Sequence, residues 1–243
     1  MKILYDLIIP ISAITVFSIL LAKNIKKHAK LYYLGALSIA SASTIYEFLK
    51  LFKGIQLTGT FAILERMSLK GFLSLAFFLL VMFCGALNLK WNITKRLISI
   101  RGELSILGCI LMLPHLVIYS TRFIMRFFAK SPMTYNTYIY TAFGFIAFLI
   151  MIPLFITSFK SIRKKMSYPK WKSIQRYSYL FFLLIYLHIA VILINAKEFN
   201  LTKFLIYTAI FLSYSVLKLN KVNSIQKANQ KQTFSNKTAP NLS

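Results

Sequence analysis

Apolar residues in this chain come in runs long enough to cross a lipid bilayer, and that constrains its fold more than any other feature. A spanning helix needs about 20 mostly apolar residues in a row. Seven stretches qualify: 3–22, 31–51, 69–88, 104–123, 138–158, 177–195 and 201–219. In lipid every backbone polar group must be satisfied within the segment, so such runs predict helices rather than open sheet. The expected fold class is an all-α membrane protein, a bundle of about seven transmembrane helices. The first run has the look of a secretion signal. Asp6 and Pro10 interrupt it and no small-residue cleavage site follows, so it is read as a retained helix.

The net charge of +25 raises the question of nucleic acid, and the placement of the charge answers it. Lys and Arg lie in the connections between apolar runs, where they orient a membrane protein. With the N-terminus outside and alternating segments, the inside connections hold 20 of the 30 basic residues. The expected orientation is therefore N-terminus outside and C-terminus cytoplasmic. The basic connections also attract anionic lipid, and no nucleic-acid partner is expected. Richness in Lys, Ile and Asn is compatible with an AT-rich bacterial genome, so the expected location is the bacterial cell (inner) membrane.

Cys84 and Cys109 both fall within predicted helices and form no CxxC or CxxCH. They read as buried thiols packing like small hydrophobes. No GxGxxG and no P-loop is present, so the chain carries no nucleotide-binding signature. From residue 220 onward the sequence turns polar and loses its hydrophobic period. Residues 220–243 are expected to be a disordered basic cytoplasmic tail.

Two of the three histidines sit deep in apolar segments: His115 in ELSILGCILMLPHLVIYSTRF and His188 in RYSYLFFLLIYLHIAVILIN. Each lies 12 residues past a charged residue at the start of its own segment, Glu103 and Arg176. At about 1.5 Å per residue both would sit about 18 Å in. If the two helices run the same way, the imidazoles share one depth, which suits a metal or haem held between them. Buried histidines also bond to carbonyls or serve proton relays, and depth alone leaves these readings open. His28 lies in the basic connection NIKKHAK and is expected to be solvated. Asp6 and Glu47 lie near helix ends and are expected to snorkel to the interface. Pro114, beside His115, predicts a kink.

Set in order, Arg101-Gly-Glu103-Leu104, His115 and Tyr119, then Pro153-Leu-Phe-Ile-Thr157-Ser158, a basic loop, Trp171 and His188 resemble the ferric reductase-like transmembrane domain. Within that superfamily the pattern is most similar to the MsrQ/YedZ type of haem-binding membrane subunit. The resemblance covers roughly residues 65–219. It implies a six-helix core plus one extra N-terminal helix: residues 1–30 the addition with its basic loop, 31–219 the haem-binding domain, 220–243 the tail. It implies one haem b with His115 and His188 as axial ligands. Two imidazoles fill both axial positions, which favours electron transfer over chemistry at the iron.

Relatives with two haems carry a second histidine about 13 residues before each of these. Here those places hold Gln175 and Arg101 or Gly102, which argues against an inner haem and leaves any flavin there without a motif. The inner level of Arg101, Glu103, Gln175 and Arg176 either binds an anionic cofactor or marks the membrane boundary. Arg122 lies two turns beyond His115 on the same helix face, with Arg126 close to that face. Both are candidates for haem propionates, and an outer solvated loop explains them equally well.

The resemblance implies passage of electrons from a cytoplasmic flavoprotein or NAD(P)H reductase to an extracytoplasmic acceptor: a methionine sulfoxide reductase, ferric iron or a flavoprotein. The seven cations between Lys160 and Arg176 offer a docking face for an acidic donor. The competing classes are a transporter and a membrane scaffold, both without a redox cofactor.

Overall fold

The structure, a computed structural model, describes residues 7–238. Twelve helices and no strand are found among the described residues: α1 (Ile9–Leu20), α2 (Ala22–Lys27), α3 (Ala29–Lys53), α4 (Gly59–Leu69), α5 (Phe72–Ala86), α6 (Asn92–Ser99), α7 (Arg101–Leu111), α8 (Leu113–Phe128), α9 (Tyr135–Ser158), α10 (Lys160–Arg163), α11 (Tyr168–Ile194) and α12 (Leu201–Thr238). The protein is an all-α membrane protein. Four stretches are long and apolar enough to cross a membrane: α7 with α8, α9, α11, and α12 as far as Lys227. A fifth arises if α4 and α5, bent by 54°, count as one broken span.

The expected count of seven is therefore not reached among the described residues. The run at 3–22 yields α1, of 12 residues, below the length that spans a bilayer; its Asp6 lies outside the described residues. The run at 31–51 yields α3, 25 residues long. Its length suffices, but Lys30, Glu47, Lys50, Lys53 and several Ser and Thr residues keep it out of the apolar set. The last helix also differs from expectation. No Gly or Pro occurs between 201 and 238, and the stretch is rich in Lys, Leu and Gln, which favour helix. α12 accordingly continues to Thr238 where composition predicts disorder.

The centre of the bundle is α5. Eleven of its 15 residues are buried, on every face, as expected for a helix apolar all round. It packs on α7, α1 and α12, while α3 lies along α7 and α8. Cys84 and Cys109 are buried free thiols. Lys221 of α12 donates to the carbonyls of Gly85 and Leu87 at 3.0 and 2.8 Å. It thereby satisfies the carbonyls left open at the end of α5.

Helices α9 and α11 form the most extensive pair. Asn136, at the start of α9, meets Asn195 past the end of α11. Thr157, at the end of α9, meets Gln175 in the second turn of α11. The two run antiparallel. Ser158 of α9 meets Ser105 in the first turns of α7, so α7 and α8 also oppose α9 and run parallel to α11. Two helices that each carry a deep histidine thus point the same way.

Candidate functional site

His115 stands just after the junction of α7 and α8. Pro114 cannot donate a backbone hydrogen bond, but Met112 at the junction keeps right-handed helical angles, and α7 with α8 forms one span. Facing it is a break between α4 and α5. Gly71 takes φ +73° there, a left-handed conformation open to glycine at little cost. Ending α4 frees its last carbonyls, and that of Leu69 accepts a 2.9 Å hydrogen bond from His115 Nδ1. A Cβ on Gly71 would lie 3.5 Å from the imidazole, in ordinary contact, so it is the backbone conformation that calls for glycine here.

His188, on α11, repeats the arrangement against a continuous helix. Its Nδ1 donates to the carbonyl of Tyr140 at 2.7 Å. Gly144 lies one turn further along α9, where a Cβ would come to 3.0 Å from Nδ1. Only a residue without a side chain lets the imidazole reach that carbonyl. The two imidazole centroids lie 6.2 Å apart with their planes at 82°. Carbonyl oxygens only accept, so both Nδ1 atoms carry the proton and both Nε2 atoms keep a free lone pair. Neither Nε2 has a hydrogen-bond partner among the described residues. Tyr119 packs on His115 at 4.7 Å and Tyr140 on His188 at 5.9 Å.

Beyond this level the polar groups pair among themselves. Glu47 is fully buried on α3. It accepts from Arg122 at 2.6 Å and from Lys50 at 3.0 Å. This corrects the expectation that Glu47 snorkels: a carboxylate facing α8 finds Arg122 there and Lys50 on its own helix. Arg122, a candidate for a propionate, is thus already paired, and its guanidinium lies 5.7 Å from the Tyr119 ring. Arg126 donates to the Pro132 carbonyl at 3.0 Å and closes the turn after α8. His28 is exposed between α2 and α3.

At the opposite end Gln175 donates to Thr157 Oγ1 at 2.9 Å, and the Trp171 indole donates to the Thr157 carbonyl at 3.1 Å. Buried Glu103 pairs with Lys160 at 2.6 Å. These groups surround a cavity of about 250 Å³ between α5, α7, α9 and α11. Sequence reasoning located this level and the histidines. It missed Gly71, Gly144 and the two carbonyls, whose roles depend on partners from other helices.

The family described as ferric reductase like transmembrane component matches residues 70–186. Over those residues the chain is similar to the ferric reductase-like transmembrane family. The matched segment, just under half of the chain, contains His115, Gly144, Thr157 and Gln175, and it ends two residues short of His188. A Treponema pallidum (strain Nichols) protein, described only as uncharacterized, is 29% identical over 214 residues. That match covers 86% of this chain and 58% of the relative, so the chain spans little more than half the relative's length. No solved structure matches. The family points to transmembrane electron transfer.

Proposed function

We propose that this chain passes electrons across a bacterial cell membrane through one haem b held between His115 and His188. One observation carries the reading: two imidazoles on parallel helices, 6.2 Å apart, each fixed through Nδ1 with Nε2 left open. Metal-bound histidines are oriented in this way, by a hydrogen bond from the other ring nitrogen. A metal–imidazole bond is about 2 Å, so rings at this separation leave space for one metal ion between them. A haem held by His115 and His188 would supply single-electron exchange and offer no open site to oxygen or substrate.

The chain's own residues do the rest. The Leu69 and Tyr140 carbonyls hold the tautomer, Gly71 turns the chain that presents the Leu69 carbonyl, and Gly144 leaves room for the His188 ring. Apolar α5 keeps water from the centre. With the N-terminus outside, the basic loop 160–176 is cytoplasmic and receives an acidic flavoprotein or NAD(P)H reductase. The Arg122 end then faces an extracytoplasmic acceptor: a methionine sulfoxide reductase if the MsrQ/YedZ likeness carries over, otherwise ferric iron or a flavoprotein. Arg126 is half free to meet a propionate, and Arg122 can do so only by sharing Glu47's charge. The domain division proposed is 1–30, 31–219 and 220–243.

Purified from haem-replete cells, the full chain should give a reduced-minus-oxidised spectrum with a sharp b-type α band. Pyridine haemochrome assay should return close to one haem per chain. Absence of a Soret band overturns the reading. A second reading, a transporter, draws on the broken pair α4–α5, since substrate sites form at broken helices. The same spectrum separates the two.

A further inference from the structure

We infer that the carboxyl pair Glu47–Glu65, at the Arg122 end of the bundle, binds one proton that enters and leaves with the electron carried between His115 and His188. This deepens the proposed electron-transfer reading and rests on it for the coupling, while the proton site itself does not depend on a haem.

The two carboxyls meet where α3, α4 and α8 come together. Glu47 of α3 is fully buried and accepts from Arg122 of α8 at 2.6 Å and from Lys50 at 3.0 Å. Glu65 of α4 is half-buried, and its carboxyl is hydrogen-bonded to that of Glu47. Ionised carboxylates only accept, so a hydrogen bond between two carboxyls requires a proton on one of them. Lys50 and Arg122 both donate to Glu47. Glu65 Oε1 is shut off from solvent, and no N–H or hydroxyl donor among the described residues reaches it. An ionised oxygen left bare in such a place is costly, so the proton belongs on Glu65. Two carboxyls that share a site and a proton titrate as a unit.

The surroundings leave this unit with a positive balance. With one proton bound, Lys50 and Arg122 face a single negative charge. Tyr46 of α3 lies 5.7 Å from Lys50, and Tyr119 of α8 lies 5.7 Å from Arg122. Arg126 of α8 is turned to the Pro132 carbonyl. On α4, Arg66 follows Glu65, and Lys70 caps the helix at its exposed end. α5, which also packs on α4, carries no charged residue. The charged residues of α7, Arg101 and Glu103, lie at its start, at the other end of the bundle.

Two routes connect the pair to the histidines. Glu65 lies one turn before Leu69 on α4, and the Leu69 carbonyl accepts from His115 Nδ1. On the other side, Arg122 reaches the Tyr119 ring, which packs on His115 at 4.7 Å. An electron held at the histidines adds a negative charge in an apolar surrounding, where charges are felt strongly. It tightens the hold of the pair on its proton, and by reciprocity the proton raises the electron affinity of the centre by the same factor. One electron arrives from the cytoplasmic flavoprotein or NAD(P)H reductase. One proton, from water beside the exposed connection at 54–58, forms the O–H bond on Glu65. When the electron passes to the acceptor, that bond breaks and the proton returns to the same water.

The test uses the full-length chain in phosphatidylcholine nanodiscs. Infrared spectra at neutral pH, in water and in deuterium oxide, should show a protonated-carboxyl C=O band in the wild type. Glu65→Gln should remove it, and Glu198→Gln, at an exposed acid, should leave it in place. Redox titration of the Soret band at several pH values should give a midpoint that falls as pH rises, because the reduced state holds the extra proton. One proton per electron sets the limit, about 59 mV per tenfold change in proton activity. The slope should flatten in Glu65→Gln and persist in Glu198→Gln. Elution volume and Soret absorbance check that each variant is folded. A wild type without the band overturns the proton site. An unchanged slope in folded Glu65→Gln overturns the coupling. If haem is present and the wild-type midpoint is independent of pH, only this inference falls. If haem is absent and the band is present, the electron-transfer reading falls, the coupling falls with it, and the proton site stands.

Discussion

Each imidazole owes its orientation to one carbonyl, and His188 also to the close approach of Gly144. His115→Ala or His188→Ala should each abolish haem retention, because a single imidazole leaves one axial position without its ligand. His28→Ala, at an exposed helix junction, should leave the spectrum unchanged. Retention at wild-type stoichiometry in both deep variants would show that the ligands lie elsewhere. A subtler probe is Gly144→Ala. Its methyl group would sit 3.0 Å from His188 Nδ1, so the ring must tilt away from the Tyr140 carbonyl. A shifted α band and weaker haem retention are expected, with Gly35→Ala as control, where a Cβ meets nothing within 4 Å. Identical spectra for the two glycine variants would remove Gly144 from the site. The histidines were legible in the sequence because an ionisable group amid twenty apolar neighbours is costly. The glycines were not: a glycine in an apolar helix has no visible purpose until another helix brings an imidazole against it.

Among the elements, α3 is tied to α8 through one buried carboxylate, and the tie is asymmetric. Glu47 is fully buried, whereas the Arg122 and Lys50 side chains are each about one-third exposed. Arg122→Ala leaves Glu47 inside with Lys50 and the neighbouring Glu65 carboxyl; breaking a fully buried pair costs about 3–5 kcal/mol, and the remaining partners reduce that to about 1–3 kcal/mol. Glu47→Gln leaves an arginine that turns toward water, at a cost of about 1 kcal/mol. Thermal unfolding in detergent should therefore show the larger loss for Arg122→Ala; the reverse order would mean that Glu47 is wetter than the structure shows. Sequence reasoning sent Glu47 to the interface because it lies near a helix end and its partner lies 75 residues away. It expected a kink beside Pro114, where the structure instead carries α7 into α8 as one span through a helical Met112. It missed the break at Gly71, where glycine alone gives no such signal and the turn is fixed by packing on His115.

At the scale of the molecule, the parallel course of α7–α8 and α11 gives the bundle two unlike ends. One carries Arg101, Lys160, Arg163 and the cavity they line; the other carries Glu47, Lys50 and Arg122. The long apolar runs and the basic loops were enough to read a helical membrane bundle with a basic face. The number of spans was not legible, because α1 is short and α3 is long but polar, and length and hydropathy agree only for the other runs. Orientation in the membrane follows from charge alone: Lys and Arg are retained on the cytoplasmic side. The connection between α3 and α4 lies at the Arg122 end and the one before α11 at the basic end, so the two should label from opposite sides. Gln56→Cys is exposed in the first connection. Ser167→Cys is exposed in the second, and Ser167 makes no capping bond that the substitution would break. The native Cys84 and Cys109 are buried and give little background. A membrane-impermeant maleimide should modify Gln56→Cys in intact cells and reach Ser167→Cys only after permeabilisation. The opposite pattern would invert the direction of electron flow. Labelling of both from one side would mean that the α7–α8 end and the α11 start do not lie across the bilayer from each other, and the shared depth of His115 and His188 would lose its basis.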